Sequence, residues 1–263
     1  MYLLTANPLL IAAAALPAII LMVKIYKTDS IEKEPAGFLV SLLLLGVFST
    51  GIAQVVEEIG ITLLNAVFHK ETVLYNIILF YGLVAFAEEG AKLALLRLRT
   101  WNSEHFNCRF DAVVYSTFVS LGFALWENIG YVVRYGFMTA VIRAVTAVPG
   151  HACFGVFMGI WYGAAKYYDN MGDTALAKKS MTKTLLAPAF VHGTYDFLTT
   201  AGWYSALFVP FIIFIFRFGF RAINNLSAGD MRITNDKPPE VYDPKSPEND
   251  ISNYPDFTDG FDR

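Results

Sequence analysis

Charge is scarce in this chain of 263 residues. Only 16% are Asp, Glu, Lys or Arg, while 55% are hydrophobic and the mean hydropathy is +0.45. A soluble globular domain carries about a quarter charged residues, so that class is a poor fit. Cysteine is scarcer still: Cys108 falls in a polar loop and Cys153 in an apolar run. That pair supports neither a disulfide framework nor a cysteine-rich metal site. Internal repeats, nucleotide-binding motifs and nucleic-acid motifs are missing, so no nucleic-acid partner is expected. The His-Glu-x-x-His helix of common zinc proteases is missing too. The formal net charge of −3 says little about partners, because the signs are segregated along the chain.

What the chain has instead is long apolar runs, several reaching the roughly 20 residues that span a bilayer. In lipid, backbone groups must pair within the chain, which favours helices. The runs are too continuous for alternating barrel strands. Window hydropathy predicts about seven spans, at residues 3–23, 36–56, 72–96, 112–133, 139–165, 184–199 and 203–216. The fold class is therefore all-α, a polytopic transmembrane helix bundle occupying residues 1–222. Lys24 and Lys27 follow the first span and no basic residue precedes it, the reverse of a secretory signal, so it is expected to be an uncleaved anchor. Every second connection is basic: Lys33, then Arg97, Arg99 and Arg109, then Lys166, Lys178, Lys179 and Lys183, then Arg217 and Arg221. The positive-inside rule then puts the N-terminus outside and the C-terminus in the cytosol of a multi-pass protein of the cell membrane. Residues 223–263 change character. Pro238, Pro239, Pro244, Pro247 and Pro255 stand among nine acidic residues between 230 and 262. Such a segment cannot build a core and is expected to be a disordered cytosolic tail.

Ionisable residues interrupt four of the spans, where each charge costs on the order of 3 kcal/mol at the bilayer centre. The third span carries Glu88, Glu89 and Lys92, with Glu88 and Lys92 one turn apart and able to pair. The fourth carries Glu127 and Asn128 with nothing basic within a turn, so Glu127 must find a partner on another helix or hold a proton. The fifth carries Pro149-Gly150-His151, where the proline predicts a kink beside the histidine. The sixth carries His192 and Asp196, again on one face, where Asp196 could fix the imidazole tautomer. Each cluster taken alone also has a purely structural reading, as a neutralised knot or an interhelical bond. Taken together, they lie about 12 to 24 Å from the inner face at 1.5 Å per residue, close enough for one cavity.

Carboxylates that activate water, facing imidazoles that donate hydrogen bonds, can hydrolyse an acyl bond. The same residues could ligate a metal or relay protons. Glu89, Glu127, His151 and His192 are the candidate ligands for a divalent ion such as zinc. Carboxylates outnumber imidazoles, and this favours a glutamate-activated water without a tightly bound ion. Glu57 and Glu58 are expected to be a solvated interfacial pair. Arg143 is expected to snorkel or to pair with a carboxylate. His105 and Cys108 are too few for a zinc site.

Glu88-Glu89-x-x-Lys92, Phe123-x-x-x-Glu127-Asn128, His151 and His192-x-x-x-Asp196 together resemble the PrsW family of intramembrane proteases. That family is grouped with the CAAX prenyl endopeptidases and the multispan scaffold subunit of gamma-secretase. The resemblance covers residues 72–200. It implies an endopeptidase acting on a membrane-anchored protein substrate, such as an anti-sigma factor or similar regulator. Its catalytic residues would be Glu88, Glu89, Glu127, His151 and His192, supported by Lys92, Asn128 and Asp196. Within that set Glu88 would be the water-activating base, Glu89 and Glu127 would position or share its proton, His151 and His192 would polarise the carbonyl, and Asp196 would orient His192. The CAAX relatives carry arginine and histidine where Lys92 and Glu127 stand, which argues against prenyl-protein processing. Two other readings remain open: a non-catalytic membrane scaffold, and a proton-coupled carrier. The paired glutamates disfavour the scaffold, and the lack of inverted repeats disfavours the carrier.

Overall fold

The structure is a computed structural model that describes residues 7–70, 72–200 and 202–233. The described residues form nine α helices: α1 (Pro8–Thr28), α2 (Ala36–Val67), α3 (Val73–Ile77), α4 (Ala85–Thr100), α5 (Asp111–Tyr135), α6 (Phe137–Val145), α7 (Ala147–Asn170), α8 (Thr174–Thr199) and α9 (Phe208–Ala228). A π-helical stretch, Ile78–Val84, joins α3 to α4, and a 3₁₀ turn, Trp203–Leu207, leads into α9. No strand occurs among the described residues, only one isolated bridge.

Five stretches are long and apolar enough to cross a membrane: Pro8–Thr28, Ala36–Val67, Asp111–Tyr135, Phe137–Asn170 and Tyr204–Ala228. The other two expected spans fall on α3 through α4 and on α8. These helices carry the motif carboxylates and basic residues that lower their hydropathy, and they turn Glu88, Glu89, Lys92 and His192 inward. Outward faces are apolar instead: Leu44, Phe48, Val55, Phe190 and Phe214 are all exposed. An apolar exterior around polar interior groups is the arrangement that lipid selects.

α5 is the central element, with 83% of its apolar window buried against 22% for α1 and 28% for α2. It packs on α1, α2 and α7, and α7 packs on α8. Glycines allow the close approaches. A Cβ at Gly46 of α2 would stand 2.0 Å from the Val119 carbonyl oxygen of α5, and one at Gly122 would stand 2.2 Å from that of Leu43. On α7, a Cβ at Gly159 would stand 2.5 Å from Val113 Cα, and one at Gly155 2.8 Å from Thr117 Cα. Ser116 Oγ donates to the Gly155 carbonyl (2.7 Å) and Ser120 Oγ to that of His151 (2.6 Å), so α5 clamps α7 at the level of the motif histidine.

Helix ends follow local chemistry. Asn7 Oδ1 accepts from Leu9 N, Thr72 Oγ1 from Tyr75 N and Asp173 Oδ1 from Leu176 N, capping α1, α3 and α8. Gly136, at φ 88°, separates α5 from α6. The kink expected at Pro149-Gly150 lies earlier. The chain breaks at Thr146 (φ −122°, ψ −75°) and α7 starts at Ala147. Pro149 then sits in the first turn, where its missing N–H costs no helix bond.

Composition suggests a tail from residue 223, yet α9 runs on to Ala228. Beyond it, Arg109 N donates to the Met231 carbonyl (2.9 Å) and Ile233 N to that of Asn107 (2.6 Å). Asp230 Oδ1 accepts from Phe110 N (2.8 Å), and Ile233 is buried. Ser30 Oγ donates to the Ser227 carbonyl (2.9 Å), joining the end of α9 to the α1–α2 loop. The remainder of the expected tail, from residue 234, lies outside the described residues.

Candidate active site

The π-helical stretch sits directly before Glu88 and Glu89. A π turn inserts backbone without changing the sequence period, so it rotates the helical turns downstream of it, and such turns often accompany functional sites. Tyr81, within it, donates its hydroxyl to Thr194 Oγ1 (3.0 Å). Gly193 leaves room for the Tyr81 ring, since a Cβ there would fall 2.8 Å from Cδ1. That approach brings α8 against α4 with His192 facing the two glutamates.

Around this contact the motif residues converge. His192 Nδ1 lies 2.9 Å from Glu89 Oε1, and its Nε2 lies 3.9 Å from Glu88 Oε2 and 3.5 Å from Asp196 Oδ2. Lys92 Nζ donates to Glu89 Oε1 (2.7 Å) and Glu88 Oε2 (3.2 Å), and lies 3.4 Å from His151 Nδ1. His151 Nε2 is 3.1 Å from Glu127 Oε2, which also accepts from Arg143 Nη2 (2.8 Å). Lys92 and the side chain of Glu89 are fully buried, whereas the side chains of Glu127 and Asp196 are 25% and 21% exposed. The cluster thus has a closed floor at Glu89 and Lys92 and an open mouth at Glu127 and Asp196. Phe154 stacks on the His192 ring at 4.6 Å and meets the His151 ring edge-on at 5.4 Å. Phe123 lies beneath Lys92, with Nζ 3.8 Å from its ring centroid.

All five expected catalytic positions, Glu88, Glu89, Glu127, His151 and His192, meet in this one place, but several contacts differ from the sequence-based roles. Glu89 makes the short contact to His192 Nδ1, while the expected partner Asp196 lies at Nε2 (3.5 Å), which also faces Glu88. Asn128 is fully buried on another face of α5. Its Nδ2 donates to the Ala14 carbonyl of α1 (2.7 Å), and its Oδ1 accepts from Arg143 Nε (3.0 Å). It therefore braces Arg143 and does not line the cluster floor. Arg143, which the sequence places near the outer end of a span, is the partner Glu127 requires. It comes from α6, beyond a break that hydropathy does not register.

Glu57, expected to be solvated, is half-buried and lies within electrostatic reach of Glu127, Lys92, His192 and Asp196. A bilayer-depth count along a straight α2 does not reveal that α2 leans on the π-helical stretch and α4. Phe123, which opens the Phe123-x-x-x-Glu127-Asn128 motif without a role assigned from sequence, joins the site, and so does Phe154, which the sequence does not single out. Their spacing to Glu127 (i−4) and His151 (i+3) is the available signal. His105 and Cys108 do not join any such group; the His105 ring packs on Phe38 at 5.0 Å.

Among the described residues one group of His, Cys, Asp and Glu converges as ligands would. Glu88, His151 and His192, all buried, offer donor atoms within 4.8 Å of one another. Two imidazoles and one carboxylate form a donor set of three that suits a hydrolytic zinc-type site, where the fourth coordination position belongs to water. Glu89 against His192 Nδ1 supplies the outer-shell carboxylate that such histidines normally have. The residues fit a divalent ion. They differ from the set expected from sequence in using Glu88, with Glu89 and Glu127 bonded to the imidazoles instead.

The model of the PrsW family, described as intramembrane metalloproteases, matches residues 34–220. The chain is 34% identical over 218 residues to Protease PrsW of Bacillus subtilis (strain 168), covering 81% of this chain and 93% of that protein. It is 33% identical over 210 residues to Protease PrsW of Geobacillus kaustophilus (strain HTA426), covering 76% of this chain and 85% of the relative. To Protease PrsW of Clostridioides difficile (strain 630) it is 27% identical over 210 residues, covering 78% and 85%. No solved structure matches significantly.

Proposed function

Because the chain belongs to the PrsW family of intramembrane metalloproteases, we propose that it cuts a membrane-anchored protein at a site built on Glu88, His151 and His192. The observation that carries this reading is the convergence of those three buried donors within 4.8 Å. It moves the balance away from a glutamate-activated water working without metal. A divalent ion such as zinc, held there, supplies Lewis-acid polarisation of the scissile carbonyl and of water.

The protein's own groups do the rest. Glu89 holds His192 through Nδ1 and fixes its tautomer, so that Nε2 faces the cluster. Glu127, at the open mouth, is the group placed to take a proton from water and return it to the leaving nitrogen. Arg143 and His151 share its Oε2, so the carboxylate is held in position before substrate arrives. Phe154 and Phe123 wall the floor and keep bulk water out, which strengthens every charge interaction inside.

The substrate class follows from position: the bond to be cut must reach polar groups enclosed by helices whose outer faces are apolar. A single-span protein exposing a loosened segment near Glu127 and Asp196 meets that need. A membrane-bound anti-sigma factor or similar regulator fits this class. The test uses purified protein reconstituted with candidate single-span substrates. Cleavage should stop on chelation, return with added zinc, and be lost in Glu88→Gln, with near-stoichiometric metal in the wild type. Full activity in metal-free protein would overturn the metal assignment, and full activity in Glu88→Gln would overturn the site.

A further inference from the structure

Lys92 stands where an ion would compete with it. Its ammonium is fully buried and touches Glu88 Oε2 (3.2 Å) and Glu89 Oε1 (2.7 Å), with His151 Nδ1 at 3.4 Å. Glu88 and His151 are two of the three converging ligands. An ammonium and a divalent ion drawing on the same donors, at the buried floor of the site, repel each other strongly. Lysine ends in a compact point charge on a flexible stem of four carbons, so its head can move while its backbone stays fixed.

A second observation shows where it could go. Oε2 of Glu89 is buried without a hydrogen-bond partner, while Oε1 of the same carboxylate carries both Lys92 and His192. A buried carboxylate oxygen without a donor is uncommon and calls for a physical reason. It lies on the residue that already binds Lys92 most closely. The Phe123 ring face, 3.8 Å from Nζ, supports a cation without tying it to one hydrogen-bonding direction.

We propose that Lys92 is a built-in counter-cation with two positions: one shared among Glu89 Oε1, Glu88 Oε2 and His151 Nδ1, as seen here, and one turned onto Glu89 Oε2, which releases Glu88 and His151 to the ion. This rests on the reading of Glu88, His151 and His192 as the metal ligands. Lys92 then sets how tightly the ion is held, and Glu89 governs that affinity without being a ligand. In either position the tethered cation also offsets the adjacent negative charges of Glu88 and Glu89.

The test is cobalt(II) binding to the purified full-length protein in detergent, read by visible absorption for wild type, Lys92→Gln, Glu89→Gln and the double variant. Removing the competing charge should tighten cobalt binding by about tenfold or more in Lys92→Gln. Glu89→Gln should weaken binding, and that loss should be smaller in the Lys92→Gln background, because the two residues act through one another. Lys92→Met repeats the measurement if the glutamine variant does not insert stably. Equal or weaker binding in the lysine variants, with cobalt bound by the wild type, overturns this proposal and leaves the metal assignment standing. Cobalt bound by neither wild type nor variants overturns the metal assignment and this proposal with it.

Discussion

Glu127 and Arg143 show how one buried charge is made tolerable. A carboxylate inside a helix bundle must be neutralised or matched, and Glu127 is matched twice, by Arg143 at 2.8 Å and His151 at 3.1 Å. Arg143 is held in turn by Asn128 Oδ1 (3.0 Å) and by the Tyr131 ring, 4.1 Å away. The guanidinium is thus a fixed part of the site's mouth, able to hold Glu127 in one orientation. Replacing it with glutamine should leave Glu127 without its strongest partner and free to turn onto His151. Breaking one side of such a pair costs about 3–5 kcal/mol in stability when the partner stays buried. Because Glu127 is partly exposed, the expected cost is lower, and the main effect is on catalysis. Arg143→Gln should lower kcat about 10- to 100-fold with a smaller change in KM, less than the roughly 10²–10⁴-fold a general acid–base group itself contributes, because Glu127 is misoriented and not removed. Arg143→Lys should recover part of it, since a lysine can reach the carboxylate but cannot also grip Asn128 in the same plane. A purely structural arginine would give the same loss in both variants, and reconstituted cleavage assays distinguish the two cases.

At the scale of the element, α7 carries His151 to the site, and its placement depends on how closely α5 lets it approach. Gly155 and Gly159 follow His151 by one and two turns, and a Cβ at Gly159 would lie 2.5 Å from both Val113 Cα and Ser116 Oγ. The Val113 contact is backbone and cannot swing aside. Gly159→Ala should therefore push α7 off α5 and cost about 1–3 kcal/mol, as overpacking of a tight interior does. Gly130→Ala is the control, because nothing lies within 4 Å of its Cβ position. Thermal unfolding in detergent should show a lowered midpoint for the first and none for the second.

The same helices mark what the sequence could and could not disclose. Glu88, Glu89, Glu127, His151 and His192 were legible because each is expensive in an apolar run, and expense singles out a residue without any knowledge of its neighbours. Their partners were legible only in part: spacing pairs Glu88 with Lys92 and His192 with Asp196, and Arg143 is a candidate partner for an unspecified carboxylate. Pairing Glu127 with Arg143 needs the chain to break at Thr146. Adding Glu89 to Asp196 as a partner of His192 needs the π-helical stretch to reorient α4. Both are backbone irregularities that hydropathy averages over. Glu57 was misplaced for a related reason: a depth count assumes that helices stand upright and apart.

For the whole molecule, the loop after α1, the loop after α4 and the segment that ends α9 are gathered with the basic loops on one side. Ser30 and Ser227 bond, and Asn107 Nδ2 donates to Glu32 Oε1 (2.7 Å). Cys108 pairs with Arg232 in an isolated antiparallel bridge, next to the basic loop that follows α4. This side carries Lys24, Lys27, Lys33, Arg97, Arg99 and Arg109, so the positive-inside rule assigns it to the cytosol. The opposite side holds the α2–α3 and α5–α6 connections, with Lys70 and Arg134 as its basic residues. If the bundle has that orientation, the site's mouth, at Glu127 and Asp196, would open toward the outer half of the membrane, and substrate would enter from there. Cysteine labelling tests the orientation with little background. Both native cysteines are buried, and burial together with the nearby Asp111 carboxylate pushes the Cys108 thiol up to about 12. A thiol in that state carries almost no thiolate, the form that maleimides attack. Lys70→Cys and Lys178→Cys are exposed positions on opposite sides. In intact cells an impermeant maleimide should label Lys70→Cys directly, and Lys178→Cys only after permeabilisation. The reverse pattern would invert the bundle and place the mouth of the site in the cytosolic half, so that substrate would have to arrive from inside.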